Sequence, residues 1–189
     1  MAATDNQLMN RMSTGDMEAL SAIVLRHQRG LVGFLTRLCG SRDAAEDLAQ
    51  ETFLRVYEAR SRYRPAGRFT TWLYTIAYRL FIDTRRAWSA SRTEGMEEKQ
   101  VADRRAATPE AATIERDLSR RVRQAIDGLP EQYRPVLLLR SRREMSYGEI
   151  AAVLGCSENA ARVRMHRGLA LLRRRLKEAG LLDPSTDEE

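Results

Sequence analysis

Apolar residues in the first third of the chain return at steps of three and four. Met17, Leu20, Ile23, Val24, Leu31, Phe34, Leu35 and Leu38 keep that step up to Gly40, which predicts a helix with one buried stripe and a glycine stop. The step resumes through Leu48, Phe53 and Val56 to about Tyr57. Asp43, with Glu46 three residues on, reads as the capping pair that opens this second helix. A turn at "RPAG" follows, and residues from about Thr70 form another helix. On it Leu73, Ile76, Ala77 and Leu80 share a narrow arc, the expected core stripe. Tyr74, Tyr78, Phe81 and Arg85 make a second face, and Thr75, Arg79, Ile82 and Arg86 a third.

The last third repeats the helical pattern. Thr108, Pro109 and Glu110 supply a cap, a first-turn proline and an early acid for a helix running to Gly128. In "PEQYRPVLLLRSRR" Pro135 would cost a ladder bond in mid-helix, so a kink or a late helix start is expected there. Ser146 and Glu149 form a capping box for a helix of about eight residues, "LGCS" is a tight turn at Gly155, and Ser157 caps the helix that follows. A short helix, a three-residue turn with glycine and a second, arginine-rich helix make a helix-turn-helix. Ala161, Met165, Leu169, Leu172 and Leu176 are its expected inward stripe. No useful β-alternation occurs, so the fold class is all-α.

Charge divides the chain. Residues 1–88 carry 13 basic and 9 acidic residues, and residues 109–178 carry 15 and 9. Between them 89–108 balances 4 against 4 with no sustained apolar period, and 179–189 is net −4. The expected organisation is two small helical domains, 1–88 and 109–178, joined by a flexible linker, 89–108, with an acidic tail, 179–189. The net charge of +6 and the pI near 9.8 favour an acidic partner, nucleic acid before anionic membrane. All but two of the 32 basic residues are arginine, the fork that grips phosphate and guanine, though genome composition also enriches it. Cys39 and Cys156 stand apart, with His27 and His166 in no ligand spacing, so reduced thiols and no metal or cofactor are expected. No secretory leader pattern and no long apolar run is present, which suggests a cytoplasmic protein without membrane insertion.

Residues 62–86 hold six of the twelve aromatics, six arginines and one acid, Asp83. One apolar stripe suffices to dock a helix, so the second aromatic face is surplus. Rings beside arginine on a positive surface are what single-stranded DNA binding uses, although Trp72 and Phe81 would also serve as core. In the helix-turn-helix, the N-terminal part of the second helix would face base edges. That nominates Ser157, Glu158, Asn159, Arg162, Arg164, His166 and Arg167; a solvated basic surface helix is the plainer reading. Asp43, Asp47 and Glu51 recur every four residues beside Glu46, an unfavourable like-charge row on an isolated helix. A protein partner would explain that row, and so would simple solvation.

The segments "DAAEDLAQETFLRVY", "FTTWLYTIAYRLFIDTRRA" and "LPEQYRPVLLLRSRREMSYGEIAAVLGCSENAARVRMHRGLALLRRRL" resemble, in this order, the second and fourth conserved regions of bacterial sigma-70 family factors. Nothing like the first or third region occurs, as in the extracytoplasmic-function subgroup. The resemblance implies a sigma factor without catalytic residues that binds core RNA polymerase at the largest subunit's clamp helices and at the flap. Asp43, Glu46, Asp47, Gln50, Glu51 and Phe53 match the clamp-binding segment. Arg62, Tyr63, Arg64, Arg68, Phe69, Thr71, Trp72, Tyr74, Thr75, Tyr78, Arg79, Arg85 and Arg86 match the part that recognises and melts the −10 element of promoter DNA. The helix-turn-helix of residues 146–173 matches the −35 reader, and an anti-sigma partner is common in the subgroup. Ala77-Tyr78-Arg79 stands where Ala-Arg-Asn is usual, and Gly168 where alanine is frequent, so the promoter sequence stays open. The alternatives are a helix-turn-helix regulator acting without polymerase, which leaves the acidic row unused, and a helical interaction protein that binds no DNA.

Overall fold

A computed structural model describes residues 3–92, 114–143 and 145–182, and within them eight helices. They are α1 (Asp5–Ser13), α2 (Met17–Cys39), α3 (Arg42–Glu58), α4 (Phe69–Arg92), α5 (Ile114–Asp127), α6 (Arg134–Arg143), α7 (Tyr147–Leu154) and α8 (Glu158–Glu178). No strand occurs among the described residues. The helices form two compact units, one built on α1–α4 and one on α5, α6, α8 and the first part of α7.

Side-chain caps fix most starts in the first unit. Thr4 and Gln7 form a capping box for α1, a helix the apolar pattern did not mark. Asp16 accepts from the Glu18 and Ala19 amides to open α2, which stops at Gly40 with φ 74°. The expected cap of α3 is corrected: Ser41 accepts from the Ala44 amide, and Glu46 instead pairs with Arg42 at 2.7 Å. The serine precedes the first helical turn, where the free amides point, so Asp43 is already inside the helix.

α2 packs on α1, α3 and α4, and α3 also packs on α4. Leu8, Met9 and Met12 dock α1; Ile23, Leu31, Phe34 and Leu35 line α2; Leu48 and Val56 come from α3, and Leu73, Ala77 and Leu80 from α4. Each such large side chain contributes about 1.5–3 kcal/mol on burial. Buried Thr52 satisfies its hydroxyl by donating to the Leu48 carbonyl at 2.6 Å. α4 runs to Arg92, so the first residues read as linker are still helical. Residues 93–108, the Thr108 cap and 183–189 of the tail lie outside the described residues.

In the second unit α6 starts at Arg134, so Pro135 falls in the first turn as expected. Val136, Leu137, Leu138 and Leu139 are consecutive and all buried, which makes α6 the central helix. α8 packs on α6 and on α5. Ala161, Met165 and Gly168 carry the inward stripe of α8. Leu169 does not: it is exposed, because the close approach of α6 selects the glycine one position earlier.

Candidate functional site

The helix-turn-helix is built by its caps. Ser146 and Glu149 bond reciprocally at 3.2 and 2.8 Å, opening α7. Gly155, at φ 63°, turns the chain, and the Ser157 hydroxyl accepts from the Ala160 amide at 3.1 Å to open α8. Tyr147 then braces the motif: the guanidiniums of Arg140 and Arg162 lie 5.4 and 4.8 Å from its ring centre. Arg162 also pairs with Glu158, so two candidate readers are held to each other.

Opposite the buried stripe of α8, at steps of 100°, lie Asn159, Val163, His166 and Arg167, all exposed. Arg164 sits on the flank and is half-buried, less available than its neighbours. Val163 was not among the expected readers, yet it is 40% exposed at the centre of this face. Its signal was the same period that fixed the inward stripe.

In the first unit the aromatics divide. Tyr63, Phe69 and Trp72 form one cluster, with Tyr63 4.8 Å from Trp72 and 6.2 Å from Phe69, and Phe69 5.8 Å from Trp72. Within this cluster Tyr63 and Trp72 are half-buried and keep part of their surface. Phe69 is 3% exposed and Tyr74 1%, so neither presents a face to DNA, a correction to both. The reason is that α4 is covered by α2 as well as α3: Tyr74 meets Phe34 edge-on at 5.1 Å, and Phe69 lies 5.3 Å from the His27 ring. Tyr78 is half-buried and 6.1 Å from buried Phe81.

Arg62, Arg64, Arg68, Arg79, Arg85 and Arg86 are exposed, while Thr71 and Thr75 are half-buried. Thr75 donates to the Thr71 carbonyl at 2.7 Å. The Tyr63 hydroxyl donates to Asn6 Oδ1 at 2.8 Å. Burial first, and the Asp5 carboxylate second, raise its pKa above the usual phenol value, so it remains a donor at neutral pH.

On α3, Asp43, Asp47 and Gln50 are exposed and Glu46 and Glu51 half-buried, with Glu51 paired to Arg55 at 2.9 Å. Phe53, expected on the partner face, is buried in the core, which corrects that assignment. The apolar residue of the face is instead Leu54, 57% exposed and on the same arc as Asp47, Gln50 and Glu51. Seven residues on from Asp47, it was legible from the period alone.

Both units match known families. The Sigma-70 region 2 family covers residues 23–90 and the Sigma-70 region 4 family residues 119–172. The RNA polymerase sigma factor CarQ of Myxococcus xanthus is 35% identical over 92% of this chain and 98% of its own. The ECF RNA polymerase sigma factor SigW of Bacillus subtilis is 33% identical over 90% and 95%. Among solved structures, CnrH in complex with the cytosolic domain of CnrY superposes with a TM-score of 0.67 at 25% identity, over 92% of this chain and 97% of that one. The sigma factor RpoE bound to the anti-sigma factor NepR, from Bartonella quintana, shares the fold with a TM-score of 0.66 at 23% identity, over 83% and 96%. The chain belongs to the sigma-70 family, among the extracytoplasmic-function RNA polymerase sigma factors.

Proposed function

We propose that this sigma factor divides its work among three surfaces. The face of α3 carrying Asp43, Asp47, Gln50 and Glu51 around Leu54 docks on the clamp helices of core polymerase. An apolar residue inside a charged rim is the usual anatomy of such an interface. Tyr63 and Trp72, with Tyr78 further along α4, catch bases extruded from the −10 element while Arg62, Arg64, Arg68 and Arg79 hold the backbone. Stacking gives about 1–3 kcal/mol per base, against roughly 1.4 kcal/mol to unstack a duplex step, so two captured bases offset a few melted steps. The exposed face of α8, with Asn159, Val163, His166 and Arg167, reads the −35 element in the major groove.

The observation that carries this reading is the half-buried ring pair Tyr63 and Trp72, 4.8 Å apart, in a stretch where Arg62, Arg64 and Arg68 are exposed. No step requires a catalytic group of the chain's own, and the work is done in the cytoplasm, where polymerase and promoter meet. An anti-sigma protein is a fitting regulator, as NepR is for the Bartonella relative. The test is reconstitution with core polymerase on a cognate promoter. Specific transcription with permanganate-reactive thymines at −10 is expected, whereas binding without opening would leave a helix-turn-helix regulator.

A further inference from the structure

Helix α1 precedes the residues matched by the region 2 family, which begin at 23, yet it reaches the aromatic cluster. Leu8, Met9 and Met12 bury it against the rest of the unit. Asp5 pairs with Arg26 of α2 at 2.6 Å and lies 3.0 Å from His27 Nε2, which ties the start of α1 to α2. His27 in turn packs on Phe69, the floor of the cluster. From this anchored helix Asn6 accepts the Tyr63 hydroxyl, a bond spanning 57 residues of sequence.

Tyr63 needs such a hold. It lies between α3 and α4, where bonds such as Arg62 N to Ala59 O (3.0 Å) and Ala66 N to Arg64 O (2.8 Å) set local turns without aiming a ring. A ring that stacks on a base must already stand in the stacking orientation, or ordering it subtracts from the binding. The bond to Asn6 fixes the far end of the ring, and the contacts with Trp72 and Phe69 fix its plane. A cleft of about 230 Å³ is lined by Asn6, Arg68 and Phe69 of the cluster.

We propose that Asn6 is a positioning residue for promoter opening: through its hydrogen bond it holds the Tyr63 ring ready for an extruded base. The proposal rests on Tyr63 being a base-capturing ring. It makes α1 a working part of the −10 surface and not merely a helix that covers the core.

The test uses holoenzyme on a duplex promoter, reading the amount and rate of open complex with permanganate. Asn6→Ala removes the acceptor, and Tyr63→Phe removes the donor while keeping the ring. Each is expected to lower opening about three- to tenfold, the equilibrium worth of one hydrogen bond. The double variant should lose no more than either single one, since both delete the same contact. A purely structural role for Asn6 would give losses that add, and that result overturns the proposal. If Asn6→Ala fails to fold, Tyr63→Phe alone still decides: opening at the wild-type level refutes the positioning bond. Tyr63→Ala separates the two layers. A severe defect there beside unimpaired Tyr63→Phe and Asn6→Ala leaves base capture standing and removes positioning; an undisturbed Tyr63→Ala removes both.

Discussion

Gly168 of α8 and Leu137 of α6 stand so close that a β-carbon on the glycine would lie 3.2 Å from Leu137 Cδ1. The Tyr133 β-carbon, one turn before Leu137, lies at the same distance, 3.2 Å. Gly168→Val places branched methyls in that seam, and overpacking of this kind costs about 1–3 kcal/mol. A lower melting temperature of the second unit is expected, with loss of −35 binding in proportion to the unfolded fraction. Unaltered melting would mean that the two helices separate easily.

On α3, neighbouring residues should behave in opposite ways. Leu54→Ala is expected to weaken binding to core polymerase by about 1–2 kcal/mol, as truncation of an interface anchor does, and to leave thermal stability unchanged. Phe53→Ala should lower stability by about 3–5 kcal/mol through a core cavity. Asp47→Arg, at an exposed site, should cut association about tenfold or more by opposing a complementary charge. Fluorescence anisotropy with core polymerase, together with thermal melts, checks all three. Equal polymerase affinity for Leu54→Ala and wild type would remove Leu54 from the interface.

Val163, at the centre of the exposed face of α8, is the right group to meet a thymine methyl in the major groove. Replacing each −35 thymine in turn by deoxyuridine should weaken binding at one position by about 0.8 kcal/mol, the worth of one buried carbon. In Val163→Ala the same replacement should cost nothing further. A deoxyuridine effect that survives in the variant assigns the methyl to another residue.

The Cys39 thiol is pushed by burial from 9.0 up to about 11. The thiolate is the reactive form, so at pH 8 roughly one part in a thousand is available to an alkylating agent. In a Cys156→Ala background, native protein should react slowly with iodoacetamide and denatured protein quickly. The folded state holds this proton to higher pH than the unfolded state, so the sign of linkage is set. Its contribution to stability is complete below pH 9 and falls away as pH rises through about 11. Cys39→Ala should melt with a shallower alkaline decline than the parent, and an identical decline would contradict the assignment.

Much of this protein was determined locally. Gly40 and Gly155 end their helices in the left-handed region, and Ser146, Glu149 and Ser157 build the helix-turn-helix from groups three residues apart. Such caps satisfy free amides within one turn of chain, so sequence alone specifies them. The arginine-rich composition likewise gave the sign of the surface before any fold was known. Periodicity added which side of α8 turns inward, apart from Leu169.

Tertiary structure decided which rings of α4 stay open. A helical period gives the angle between residues but not how many faces acquire neighbours. α4 is contacted by both α2 and α3, so Tyr74 and Phe69 were enclosed, Trp72 was left half-buried and Trp88, near the end of the helix, stayed exposed. The bond from Asn6 to Tyr63 had no local signal at all, since its two ends meet only after α1 docks on α2. Capping is a property of neighbouring residues, whereas enclosure and long-range bonds depend on which helix lies against which.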